Sequence, residues 1–260
     1  MTVTVHVAAC VVLGVFTGML SAMFGVGGAV VSTPGIRALG ATPLEGVGST
    51  LPSVLPSAVV GTVRYHRAGV VEWPVVARVA PLGCAGAIAG ALASVHVPGQ
   101  GHLQMLLTAF LVLLTAWTTA RPTRADRGDT ADAAPRITGW RCAVIGVGAG
   151  ILSGFLGVGG GILMTPTFRG WLRLPIKTTV ATSLACVGII AIPSTLTHVV
   201  EGTVNWTYAL PLCVGVVPGA RLGARFALAA SDRALRSVIA VVLGILGTGY
   251  AIAEIVAITR

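Results

Sequence analysis

The 260-residue chain is 55% hydrophobic and only 10% charged, whereas a soluble domain carries about 25% charged residues. Too few polar side chains are present to coat a globule, which excludes a water-soluble domain and makes lipid the solvent for much of the surface. The net charge of +9 comes with no basic stripe interleaved with aromatics, so nucleic acid is excluded as a partner and the charge reads as the positive bias of membrane loops.

In chain order, the first apolar stretch covers residues 5–40. No basic segment precedes it and no small-residue cleavage site follows, so Val5 onward reads as the first membrane element rather than a removed leader. Gly25-Val26-Gly27-Gly28 interrupts the stretch and Pro34 follows soon after. A run so rich in glycine does not hold a rigid helix, and a turn is expected there. Stretches over 44–66, 74–95 and 103–120 come next, each close to the roughly 20 residues of a spanning helix. Residues 121–141 are the one strongly polar run, with Arg121, Arg124, Asp126, Arg127, Asp129 and Asp132, and read as a solvated linker. The pattern then restarts. Residues 142–172 carry Gly157-Val158-Gly159-Gly160 and Pro166, and stretches over 176–199, 206–230 and 234–258 complete the chain.

The restart is an internal duplication. Gly14, Gly18, Ser21, Gly25, Gly27, Gly28, Thr33 and Pro34 recur 132 residues later as Gly146, Gly150, Ser153, Gly157, Gly159, Gly160, Thr165 and Pro166. Pro43 and Thr50 match Pro175 and Thr182 at the same spacing. At a spacing of 133, Gly69, Val71, Trp73, Gly86 and Gly90 match Gly202, Val204, Trp206, Gly219 and Gly223. The domains expected are a first transmembrane repeat over 1–120, a cytoplasmic linker over 121–141 and a second repeat over 142–260.

Charge decides between two topologies. If each first element crosses the membrane, the halves are parallel and the basic clusters split nearly evenly. If it dips in and returns, the halves are inverted. Arg64/Arg67, the linker arginines, Arg169/Arg173/Lys177 and Arg225/Arg233/Arg236 then share the linker side. Arg37 and Arg260, with His96 and His102, remain opposite. The positive-inside rule selects the inverted arrangement with a cytoplasmic linker. Trp140 and Trp171 bracket the second dip, as interfacial anchors on one side would. The fold class expected is an all-α integral membrane protein of two inverted repeats, each a glycine-broken re-entrant element plus three transmembrane helices.

Matching glycine-broken segments in two inverted halves point to the binding site of a secondary transporter. Non-helical backbone inside a bilayer must line a cavity or bind something. A half-helix starting after the glycines directs its positive end and free N–H groups there, which makes an anion site. Gly25, Gly27, Gly28, Gly157, Gly159 and Gly160 are therefore candidate substrate-binding residues. Thr50, Thr182 and Ser183 are the polar candidates, followed by Ser49, Ser21 and Ser153, although such hydroxyls also bond their own helix backbone. Arg221, between Gly219 and Gly223 and about 10 Å inside its segment by helical rise, is expected on an inward turn and facing substrate. Arg78 and Arg225 read as snorkelling, and Glu72 and Glu254 as solvated.

Other readings of these residues fail. Ile162 stands where a dinucleotide fingerprint needs its third glycine, and no GK[ST] follows. The pairs Gly14/Gly18, Gly86/Gly90, Gly146/Gly150 and Gly219/Gly223 read as close helix crossings. Cys10, Cys84, Cys142, Cys186 and Cys213 form no CxxC pair and read as small apolar residues. No metal or cofactor is expected. No H-x-x-x-H set or other catalytic constellation suggests an enzyme.

The doubled pattern G-x-x-S-x-x-x-G-x-G-G-x-x-x-x-x-P resembles the hallmark of the sulfite exporter TauE/SafE family. The Thr182-Ser183 step and the Gly202-Thr203-Val204-Asn205-Trp206 segment strengthen the resemblance, which covers the chain outside the linker. It implies a permease of the bacterial inner membrane for sulfite, a sulfonate or a related sulfur-containing anion, without its own ATPase. Membrane lipid and the small anion are the partners implied, with homo-oligomerisation left open. The halves differ where Ala29 faces Gly161 and Leu51 faces Ser183 in the repeat, so unequal substrate contacts are expected. A channel, or a porter for another small anion or metabolite, stays the competing reading.

Overall fold

The computed structural model describes residues 3–96, 102–121 and 137–259. Residues 122–136, which hold most of the expected linker with Arg124, Asp129 and Arg136, lie outside the described residues, as do Arg260 and the side chains of His96, His102 and Glu254. The described residues form ten helices: α1 (Val3–Phe24), α2 (Ala29–Ala38), α3 (Pro43–Arg67), α4 (Trp73–His96), α5 (His102–Ala120), α6 (Gly139–Leu156), α7 (Gly161–Gly170), α8 (Ile176–Val200), α9 (Trp206–Ala229) and α10 (Asp232–Thr259). Seven are long and apolar enough to cross a membrane. Large apolar side chains such as Phe110, Leu196, Val214 and Ile245 are more than 60% exposed, a surface that lipid covers and water does not. The fold is that of an all-α integral membrane protein.

Local chemistry sets the helix ends. Thr42 and Glu45 form a capping box at α3, with Glu45 N donating to Thr42 Oγ1 at 3.3 Å and Thr42 N donating to Glu45 Oε2 at 2.9 Å. Pro43 follows at the first turn, where its missing N–H costs nothing. The repeat-related α8 starts after Pro175 with no side-chain cap. The two breaks end α1 and α6 at glycines with φ 68°, Gly25 and Gly157.

Packing between the halves is close and crossed. The glycine face of α1 lies on α9: a Cβ at Gly14 would stand 2.7 Å from Leu212 O, while Gly18 meets Val216 and Gly223 meets Met19. The face of α6 lies on α4 in the same way, Gly146 against Val79, Gly150 against Gly83 and Gly154 against Ala87. In each pair residue numbers rise together, so the two helices run in the same direction. Only residues without a side chain let backbones approach this far. The broken helix of each half is thus seated on the second full helix of the other half.

Contacts also fix where the broken elements begin and end. His6, near the start of α1, stacks on Tyr208 at 4.9 Å between ring centroids, and Tyr208 Oη donates to Leu39 O, just past α2. Both ends of α1–α2 therefore lie beside the start of α9. For α6–α7, Trp140 and Trp171 stand 6.4 Å apart and Arg141 donates to Trp171 O at 2.8 Å. Lys177, a few residues on, donates to Leu228 O near the end of α9. Each element goes in with a helix of spanning length, α1 or α6, and returns with one of ten residues, α2 or α7. Arg169 differs from its expected place among loop charges. It is only 3% exposed at the end of α7 and donates to Thr119 O at 3.1 Å, so the α5 terminus takes up its guanidinium.

Candidate functional site

The two breaks meet in the middle of the molecule. A Cβ at Gly27 would stand 3.5 Å from Gly159 Cα and 3.1 Å from Val187 Cγ1. One at Gly159 would stand 3.0 Å from the same Val187 atom and 3.6 Å from Val54 Cγ1. Val54 and Val187 belong to α3 and α8, so the first full helix of each half walls the junction. Gly27 and Gly159 have φ of 93° and 76°, which side-chain-bearing residues rarely adopt.

From this junction α2 and α7 set out. Their N-caps, Gly28 and Gly160, are left-handed, and neither helix start has a side-chain cap. The first backbone bonds close at Val31 N to Gly28 O, 2.9 Å, and Leu163 N to Gly160 O, 3.2 Å. The N–H groups ahead of them have no acceptor within the helix. Two sets of helix-start N–H groups, each carrying the positive end of a helix dipole, thus lie close together in apolar surroundings. Such an arrangement holds an anion.

The polar candidates divide. Ser183 reaches the junction: its Oγ donates to Gly25 O at 2.7 Å, across to the other half. Thr165 Oγ1 donates across to Phe24 O at 3.4 Å and to Gly161 O of its own helix at 3.1 Å. Thr50 donates to Val47 O in its own helix at 3.0 Å and lies 3.5 Å from Thr33 Oγ1. Thr182 is engaged elsewhere, accepting from the backbone N–H of Glu72 at 3.1 Å. Ser49 accepts in the same way from Asn205 N at 2.8 Å. Glu72 and Asn205 are repeat-related, each in the loop before the second full helix, so each loop is tied to a hydroxyl of the opposite half. Arg221 is exposed rather than turned inward. It lines an open groove of about 690 Å³ between α3 and α9, together with Arg64 and Arg67.

Thr17 is a residue that sequence reasoning missed. A Cβ at Gly28 would meet Thr17 Cγ2 at 2.8 Å and Ser21 Cβ at 3.0 Å. The hydroxyls of Thr17 and Ser21 are buried, 2% and 1% exposed, and have no hydrogen-bond partner. Ser21 is visible through the repeat, but the position matching Thr17 is Ala149, so the duplication hides it. The six break glycines are all buried. The gap beside Gly28 and Ser21, on the side facing Leu243 and Leu246 of α10, holds only about 10 Å³, close to the limit for one water. With all six glycines buried, the junction is closed in this conformation.

Comparison with known proteins gives the family. The family model for the sulfite exporter TauE/SafE matches residues 10–250. A "Probable membrane transporter protein" of Xylella fastidiosa is 29% identical over 236 residues, covering 88% of this chain and 89% of that protein. "Probable membrane transporter protein YunE" of Bacillus subtilis is 27% identical over 260 residues, covering 91% and 94%. An archaeal relative, MJ0441 of Methanocaldococcus jannaschii, is 22% identical over 262 residues, covering 91% and 92%. No solved structure matches. Spanning helices, a buried pair of broken helices and these relatives define a multi-pass membrane transporter. Its membership is equally plain: the chain belongs to the sulfite exporter TauE/SafE family.

Proposed function

We propose that this transporter is a secondary permease for a small sulfur-containing oxyanion, sulfite or a sulfonate, in the bacterial inner membrane. The observation that carries the reading is the meeting of Gly27 and Gly159, which brings two uncapped helix starts to one place. N–H groups from both breaks bind the anion's oxygens, and Ser183, Thr165, Thr17 and Ser21 surround them. Thr50 packs behind the first break, while Thr182 holds a loop. Arg221, exposed and outside the buried junction, takes no part in holding the anion there.

In this reading the chain is two inverted repeats, 1–120 and 142–260, joined by a cytoplasmic linker, with extracytoplasmic ends. The closed junction is the occluded state, and the α1–α2 and α6–α7 elements part alternately to open it to either side. Proteoliposome counterflow tests the function. Sulfite, thiosulfate, taurine-type sulfonates and sulfoacetate are supplied in turn, and saturable counterflow of at least one is expected. Flux that never saturates would make the protein a channel. Cysteines at Ala38 and Asp232, both exposed, test the topology in a cysteine-free background. They should label from opposite faces, whereas labelling from one face would restore parallel halves.

A further inference from the structure

The groove between α3 and α9 has a chemistry unlike that of the junction. Arg64, Arg67 and Arg221 line it with Val59, Val60, Val63, Ala68 and Leu228. None of the three guanidinium groups makes a hydrogen bond or ion pair with the described residues. At its edge Lys177 donates to Leu228 O and pairs with Asp232 at 3.7 Å, so the acidic group there is already engaged. Three like charges line one groove, with no counter-charge from the described residues. Together they give the groove a positive field that suits an anion.

The other wall says which anion. Val59 and Val63 are 61% and 45% exposed, and they sit one to two turns deeper along α3 than Arg67. A free oxyanion has no use for such an apolar wall. The groove's volume of about 690 Å³ is also roughly twenty times that of a water molecule in the liquid. A phospholipid uses both features, because its phosphate lies at the level of helix ends and its chains continue inward along apolar side chains. We propose that the groove binds one anionic phospholipid, its phosphate held by Arg64, Arg67 and Arg221 and an acyl chain laid along Val59 and Val63. The deeper Arg221 extends toward the headgroup level along its own stem.

Native mass spectrometry of the full-length protein in detergent tests this, with phosphatidylglycerol, phosphatidylcholine and inorganic phosphate as probes. The parent should retain phosphatidylglycerol in preference to phosphatidylcholine, and millimolar phosphate should not displace it. Each arginine replaced by glutamine, in Arg64→Gln, Arg67→Gln and Arg221→Gln, should weaken retention about fivefold. Arg225→Gln, one turn on and outside the groove, should leave it unchanged. If any of these variants cannot be purified, Arg67→Gln, at the last residue of α3, carries the measurement. Undiminished phosphatidylglycerol retention in the variants would overturn the proposal. So would displacement by inorganic phosphate, which would make this a site for free anions. A raised half-saturation for the transported anion in Arg221→Gln, measured in neutral-lipid vesicles, would assign the groove to the substrate path instead.

Discussion

Gly28 starts α2 beside Thr17 and Ser21, whose buried hydroxyls have no partner, whereas Gly160 starts α7 with its Cβ position against Ala149. The main chain is nearly the same in both breaks, with φ of 77° and 71° at the two caps. The hydroxyls nearby are not. Ser183, on α8, reaches the first break, and its repeat partner on α3 is Leu51, fully buried and apolar. Duplication has therefore kept what the backbone supplies and let side chains diverge around it. N–H groups from two helix starts recognise charge and oxygen without regard to what the oxygens are attached to. In the proposed site, selectivity would come from the uneven side, and most of the polar atoms are on the first break.

The largest effects test the shared part. Gly27→Val and Gly159→Val each place a Cβ within 3.1 Å of Val187 at a left-handed residue, costing about 1–2 kcal/mol in backbone strain. Transport should fall at least about 30-fold in both, equivalent to ~2 kcal/mol of lost anion binding. Elution as a folded species by size exclusion separates this from misfolding. Normal transport by either variant would mean the breaks do not form one site.

The uneven part comes next. Thr17→Val and Ser21→Ala should raise the substrate half-saturation about fivefold, as losing one hydrogen bond would. They should leave the melting temperature unchanged or higher, because each removes a buried hydroxyl that is unpaired in the closed state. Ser153→Ala also removes an unpaired hydroxyl, yet should change half-saturation less. Equal effects from Ser21→Ala and Ser153→Ala would show that the halves recognise substrate equally.

Ser183→Ala removes the 2.7 Å bond to Gly25 O and should destabilise the protein by about 1 kcal/mol, read as a lower melting temperature in detergent. The smallest effects belong to the two loop ties. Ser49→Ala and Thr182→Val each free one backbone N–H, of Asn205 or Glu72. Because these loops lie at the ends of helices, water replaces part of the bond, and losses of about 0.5 kcal/mol are expected. They should be similar, since the freed N–H groups of Glu72 and Asn205 are related by the repeat although the two hydroxyls are not. A tenfold transport loss in Thr182→Val alone would return Thr182 to the binding site.

Sequence revealed the helices, the breaks and the glycine pairs, because each of these leaves a periodic or compositional trace. Gly14 and Gly146 announce close crossings by their spacing. Which helix each one crosses is a tertiary fact, and nothing in the spacing names α9 or α4. The same limit explains Thr182. Its match to Thr50 suggested a shared role, but the hydroxyls point to different partners, Glu72 N and Val47 O. Arg221 was placed by its position between two glycines. Gly219 and Gly223 do turn toward α1, and an intervening residue two steps along a helix faces elsewhere. Arg169 looked like a loop charge because it stands near the end of its apolar stretch beside Arg173 and Lys177, while its partner Thr119 O belongs to a different helix.

The seating of α1 on α9 has a consequence for how the chain is made. Gly14 and Gly215 face each other, so the surface that covers α1 leaves the ribosome roughly 200 residues after it, a delay of about 10–40 s at ordinary synthesis rates. The corresponding surfaces of α4 and α6 are much closer in sequence and can join while the chain is still growing. Until α9 arrives, the glycine stripe of α1 has no helix to cover it, although its broken end can already rest on α3, where Tyr65 Oη donates to Ala22 O. Biogenesis is therefore lopsided even though the finished architecture is nearly even: the second half can assemble onto a waiting α4, but the first half is completed only by the chain's last third.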